Sequence, residues 1–150
     1  MKSFALCFFL LSSLLFSLHK AQAQISPKEQ LIAEINKVFA DGKMWDIEAM
    51  FVDNSGSIKY KVCLSADCNP YVSWDFYIKN VKPVKVGKLD DYVTIDFECN
   101  DGADCIIPAG YEKGGRYEMK KVLQFIVKDK KVAEAAVEKL NRLQQMDLSK

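Results

Sequence analysis

The sequence predicts an α+β domain: a helix, an antiparallel meander of about seven short strands, and a closing helix. Three observations carry this. Near both ends of the chain apolar residues recur every three or four positions. Through the middle they alternate with polar ones. Turn-forming residues punctuate that middle at short intervals.

Residues 1–23 stand outside the pattern. Lys2 precedes an apolar run from Phe4 to Leu18, broken only by Ser12, Ser13 and Ser17. Ala21-Gln22-Ala23 has the small-x-small form of a cleavage site. The reading is a secretory signal removed after Ala23, leaving one domain over 24–150 that is secreted or periplasmic. The run is shorter than the roughly 20 residues a membrane span requires.

Ser26-Pro27-Lys28-Glu29 opens the first helix, with Ser26 at the N-cap, Pro27 at N1 and Glu29 completing a capping box. Leu31, Ile32, Ile35, Val38 and Phe39 form its apolar stripe, and Gly42 is expected to end it in the left-handed conformation. From Met44 the period shifts to two. Trp45, Ile47, Ala49 and Phe51 are expected to face inward, then Ile58, Tyr60, Val62 and Leu64, then Val72, Trp74, Phe76 and Ile78. Asp53-Asn54-Ser55-Gly56 and Asn69-Pro70 are turns. Residues 81–86 contain Pro83, which cannot donate to a ladder, so this reads as an edge strand guarded by Lys82, Lys85 and Lys88. Residues 87–91 turn the chain into Val93, Ile95 and Phe97. A short strand is expected at 106–108, a glycine-rich loop at 109–117, and a last strand at 119–127. Asp129 then caps a helix whose stripe is Val132, Ala133, Ala136, Val137, Leu140 and Leu143. The alternation implies that one face of each strand meets water.

Composition removes several classes of function. The single histidine, His19, lies in the leader, so residues 24–150 offer no imidazole for Ser-His-Asp or Cys-His catalysis or for a His-based metal site. Removing Lys2 and Lys20 leaves the basic residues one fewer than the 20 acidic ones, with Arg116 and Arg142 the only arginines. That is a poor footprint for nucleic acid.

Four cysteines follow the leader: Cys63, Cys68, Cys99 and Cys105. An even count in an exported chain argues for disulfides. Three pairings exist. Cys63–Cys68 and Cys99–Cys105 are favoured because each brackets a turn. Zinc is the rival reading, on looser spacings than structural zinc sites use. Glu98, Asn100, Asp101 and Asp104 crowd the second loop and make a weak calcium candidate without EF-hand spacing.

Tyr71, Tyr77, Tyr92, Tyr111 and Tyr117 fall at outward or loop positions. With Asp75 and Arg116 they form the candidate surface for a peptide, protein or glycan. Asp75 with Asp96 or Glu98 is the one carboxylate pairing that hydrolysis would draw on.

About seven strands followed by one helix, over 44–146, resembles the PH-like roll, in which a final helix closes one corner of two bent sheets. The basic residues that family places after the first hairpin are reduced here to Lys59 and Lys61, and its helix tryptophan is absent, so phosphoinositide binding is not implied. A cystatin-like arrangement, with the first helix wrapped by a curved sheet, is the alternative. The expectation for function is an exported, disulfide-stabilised, non-enzymatic binding domain without a cofactor. A carboxylate-dependent hydrolase or its inhibitor, and an apolar-ligand carrier, are the alternatives.

Overall fold

The computed structural model describes residues 25–68, 71–111 and 119–148. Residues 1–24, Asn69-Pro70, residues 112–118 and the last two residues lie outside these. Helix α1 (Pro27–Gly42) precedes strands β1 (Glu48–Val52), β2 (Ser57–Cys63) and β3 (Tyr71–Tyr77). A 3₁₀ turn (Ile78–Asn80) leads to β4 (Lys85–Leu89), β5 (Tyr92–Glu98), β6 (Ile107–Tyr111), β7 (Val122–Val127) and helix α2 (Lys130–Leu148). The strands make two antiparallel sheets, ordered β1-β2-β3-β6 and β4-β5-β7, that are not closed into a barrel. The fold is α+β, but the path is not a simple meander. After β3 the chain crosses to the second sheet, returns to place β6 beside β3, and crosses again to place β7 beside β5.

The inner faces meet through aromatic rings. Phe76 of one sheet stands edge-on to Phe97 of the other at 5.2 Å, and Tyr60 meets Phe125 at 5.8 Å. Leu31, Ile32, Ile35 and Phe39 of α1 and Ala133, Ala136, Leu140 and Leu143 of α2 complete a single core. Each helix thus buries one stripe on layers that bury theirs in return, which is what stabilises helices of this length. Ser26 and Glu29 form the capping box, and Asp129 accepts from the Val132 N–H at 2.9 Å.

Several expectations need correction. In β1 the inward residues are Met50 and Val52, while Phe51 is 45% exposed and Ile47 47%. The phase follows from the hairpin: Val52 pairs with Ile58, and directly opposed residues share a face. Leu64 lies beyond the end of β2 and is exposed. The strand expected at 81–86 lies instead at Lys85–Leu89, so Pro83 precedes it and Gly87 falls inside it. Polar side chains of α2 take the earlier backbone. Gln144 donates to the carbonyls of Ile78 and Val81. Asn141 donates to the Val84 carbonyl at 3.0 Å and accepts its N–H at 2.7 Å. The edge position is as expected, since β4 ends its sheet.

Gly42 remains helical rather than left-handed, and the cap is Lys43. A Cβ on Gly42 would overlap Val132 Cγ1, so glycine serves a close approach of the two helices. β6 extends to Tyr111 into the expected loop, and β7 starts at Val122, with Lys120 before it in an isolated bridge to Ile106. The rest of that loop, 112–117, lies outside the described residues.

Asp147 ties the end of α2 to the start of α1 and to the β1–β2 turn. Asp147, near the C-terminus of α2 where the helix dipole disfavours an acid, pairs with Lys28 at 2.6 Å. It also covers Gly56, whose φ of +83° admits the β1–β2 turn and whose missing side chain leaves room for the carboxylate.

Candidate functional site

Among the described residues, the outer face of the four-stranded sheet carries large apolar side chains that no described element covers. Alternation sets its members. Ile58, Tyr60 and Val62 point inward, so Lys59 and Lys61 point outward. Val72, Trp74 and Phe76 point inward, so Tyr71, Ser73, Asp75 and Tyr77 point outward. The register lines up Phe51, Lys59, Asp75 and Ile107 as one row across all four strands, with Ala49, Lys61 and Ser73 in the next. At the usual strand spacing that row spans about 14 Å. Phe51, Tyr77 and Ile107 are 45, 46 and 53% exposed.

Three lysines on this side stand over rings. Lys61 Nζ lies 3.9 Å from the Tyr71 ring centre, Lys79 5.6 Å from Tyr77, and Lys59 5.9 Å from Phe51. The geometry is that of cation–π contacts, each worth about 0.5–1 kcal/mol at exposed sites.

The expected surface is therefore only partly assembled. Tyr71, Asp75 and Tyr77 share β3's outer face. Tyr92 belongs to the other sheet, where its ring meets Trp45 at 5.6 Å. The side chain of Tyr111, with Arg116 and Tyr117, lies outside the described residues. Phe51 and Ile107 are the members that pattern reading missed. Alternation counted from Trp45 puts Phe51 in the wrong phase, whereas counting back across the 53–57 turn from inward Ile58 to Val52 turns it outward.

The second outer face is half-covered, so its strands depart from the one-wet-face rule. Thr94 has no exposure, and Ile126, opposite it, is also buried. Asp96 lies across Gly87, where a Cβ would overlap its carboxylate, and accepts from Thr94 Oγ1 at 2.6 Å and Gln124 Nε2 at 3.2 Å. Asp75 projects from one outer face and Asp96 and Glu98 from the opposite one. The carboxylates considered for hydrolysis therefore do not share a cleft.

The calcium candidate also disperses. Glu98 pairs with Lys82, whose hydrogen bond and charge hold its carboxyl below the usual range. Asn100 donates to the Lys79 carbonyl at 3.2 Å. Among the described residues no three His, Cys, Asp or Glu side chains are grouped to hold a metal ion. The cysteines form two disulfides, Cys63–Cys68 and Cys99–Cys105. Cys99 is fully buried, and its Sγ accepts the Cys105 N–H at 3.0 Å.

One acid turns inward. Glu48 shares a face with Met50 and Val52, and burial raises its carboxyl pKa against a hydrogen bond from the Tyr60 hydroxyl. Burial and the Glu48 charge together push the Tyr60 phenol above its ordinary range. Tyr60 stacks on Trp74 at 5.7 Å, and Lys120 Nζ stands 4.2 Å from the Trp74 ring centre. Glu48 Oε2 is buried without a hydrogen-bond donor.

A groove of about 400 Å³ separates the two helices, floored by Val38, Val132 and Ala135 and rimmed by Lys37, Asp41, Lys128, Asp129 and Lys131. It is open to solvent, and its lining carries both acids and bases.

No helix among the described residues is long and apolar enough to cross a membrane. Comparison with protein-family models, with curated proteins and with solved structures finds no match to this chain.

Proposed function

We propose that this chain is an exported, disulfide-stabilised binding domain that performs no catalysis and engages a peptide, protein or envelope glycan through the outer face of its four-stranded sheet. The observation that carries the reading is the row Phe51, Lys59, Asp75, Ile107. Its two ends are large apolar side chains left open to solvent. Two disulfides suit an oxidising compartment, and the leader supplies the route to it. The separation of Asp75 from Asp96 and Glu98 weighs against the hydrolase alternative. Tyr60, Phe76, Phe97 and Phe125 fill the space between the sheets and Phe39 of α1 packs on Phe125, which favours contact over carriage of an apolar ligand.

The test is to titrate panels of peptides and envelope glycans into isotopically labelled protein and map which backbone resonances move. Shifts should gather on Phe51, Lys59, Lys61, Tyr71, Tyr77 and Ile107. Shifts confined to Trp45 and Tyr92, or turnover of any substrate that disappears when Asp75, Asp96 and Glu98 become alanine, would replace this reading.

A further inference from the structure

We infer that the partner of this sheet face is an acidic polypeptide segment, an inference that rests on the face being the binding surface. Lys59, Lys61 and Lys79 are its cations. None of them makes an ion pair among the described residues, whereas Lys28, Lys43, Lys82, Lys130 and Lys139 each do. Two acids stand near them: Asp75, opposite Lys59 in register yet not ion-paired with it, and Asp53, whose carboxyl the Lys59 charge helps to hold below its ordinary range. Among the described residues the three lysines thus outnumber the two acids, on a molecule whose overall charge is close to zero.

An ammonium seated over a ring is already partly desolvated and keeps hydrogen-bond donors in reserve. A carboxylate brought to it meets a stronger attraction than at a freely hydrated lysine. Lys59 and Lys61 are alternate residues of one strand, about 7 Å apart. Acids at alternate positions of an extended segment laid along β2 would meet both.

The chemistry around the cations selects a polypeptide over other polyanions. Ile47, Phe51 and Ile107 are exposed, and they match apolar side chains that a polysaccharide lacks. Asp75 lies within the same face. An anionic bilayer would repel and desolvate it, whereas a polypeptide offers N–H donors to it.

The experiment is to pan a displayed library of short random peptides against the purified chain and measure the selected sequences by fluorescence anisotropy at low and high salt. Selected peptides should carry Asp or Glu at alternate positions beside an apolar residue, and salt should weaken them by about tenfold. The double variant Lys59→Glu, Lys61→Glu should bind them at least about tenfold more weakly. Lys85→Glu, Lys88→Glu on the other sheet should change binding by less than about twofold. If the first reversal lowers the circular-dichroism melting point, Lys59→Gln, Lys61→Gln carries the same expectation at about threefold. Selection of peptides without acids overturns the proposal. So does salt-insensitive binding, or attachment to polygalacturonate or phosphatidylserine vesicles with no acidic peptide selected. If Phe51→Ala, Tyr77→Ala abolishes binding while charge reversal does not, the ligand class fails and the surface stands. If neither changes it, both fail.

Discussion

Asn36 brackets Val52. Its Nδ2 donates to the Val52 carbonyl at 2.8 Å, and the Val52 N–H donates to its Oδ1 at 2.7 Å. β1 is an edge strand, and Val52 turns these two groups away from β2. A helix side chain therefore does what a further strand would do, and it aims β1 so that Phe51 falls on the outer face.

This pairing predicts that Asn36→Ala destabilises the protein by about 1–3 kcal/mol, because two part-buried backbone groups lose their partner. Asn36→Asp keeps the acceptor for the Val52 N–H but sets a carboxylate against its carbonyl, so it should be no better than alanine. Urea unfolding measures both. An alanine cost below about 0.5 kcal/mol would mean that water replaces the amide without loss.

Gly42 and Val132 give a second prediction, opposite in sign to helix propensity. Alanine normally gains about 1 kcal/mol over glycine inside a helix. Here the added Cβ would overlap Val132 Cγ1, so Gly42→Ala should lose about 1–3 kcal/mol. Val132→Ala removes the obstructing methyls. In that background Gly42→Ala should become neutral or stabilising. A double-mutant cycle with no coupling would show that the helices separate freely.

The two disulfides should differ in accessibility. In the chain-entropy model each such short loop contributes about 2 kcal/mol. The residues inside both loops are largely exposed, but Cys63 and Cys68 are both half-buried whereas Cys99 has no exposure. Under native conditions a mild reductant should open Cys63–Cys68 first, and alkylation followed by mass spectrometry reads the order. Simultaneous opening would mean that Cys99–Cys105 becomes accessible through local unfolding as easily as the surface pair.

What the sequence made legible was set by local chemistry. Ser26, Pro27 and Glu29 write a helix start in consecutive residues, and the stripe ending at Leu143 can be read by counting. What stayed hidden depends on distant partners. Gln144 and Asn141 look like exposed polar residues of a terminal helix, yet they hold the backbone of 78–84 and displace β4 toward Gly87. The β3–β6 pairing is non-local, so nothing beside Asp75 announces Ile107 as its neighbour. The candidate face was half visible for the same reason. Tyr71 and Tyr77 follow from alternation within one strand, whereas Phe51 required the phase that the hairpin and Asn36 impose.

Glu48 carries the last prediction. Its carboxyl is raised above the ordinary 4.5 by burial, and Oε2 has no hydrogen-bond donor. An acid whose native pKa exceeds its unfolded one holds its proton more tightly in the folded state, so stability falls as pH rises from the unfolded value through the native one. Glu98 works the other way. Its lowered pKa gives stability present above the unfolded value and lost as pH falls through the native one. Whole-protein pH curves mix such terms, so the difference between wild type and Glu48→Gln isolates Glu48. The amide oxygen still accepts from the Tyr60 hydroxyl, and no charge remains to be buried. At neutral pH Glu48→Gln should be more stable by roughly 0.5–1 kcal/mol, a value kept low because the residue is only half-buried. The difference should shrink as pH drops and vanish below the unfolded carboxyl pKa. If the gap stays constant with pH, the raised carboxyl is not its source.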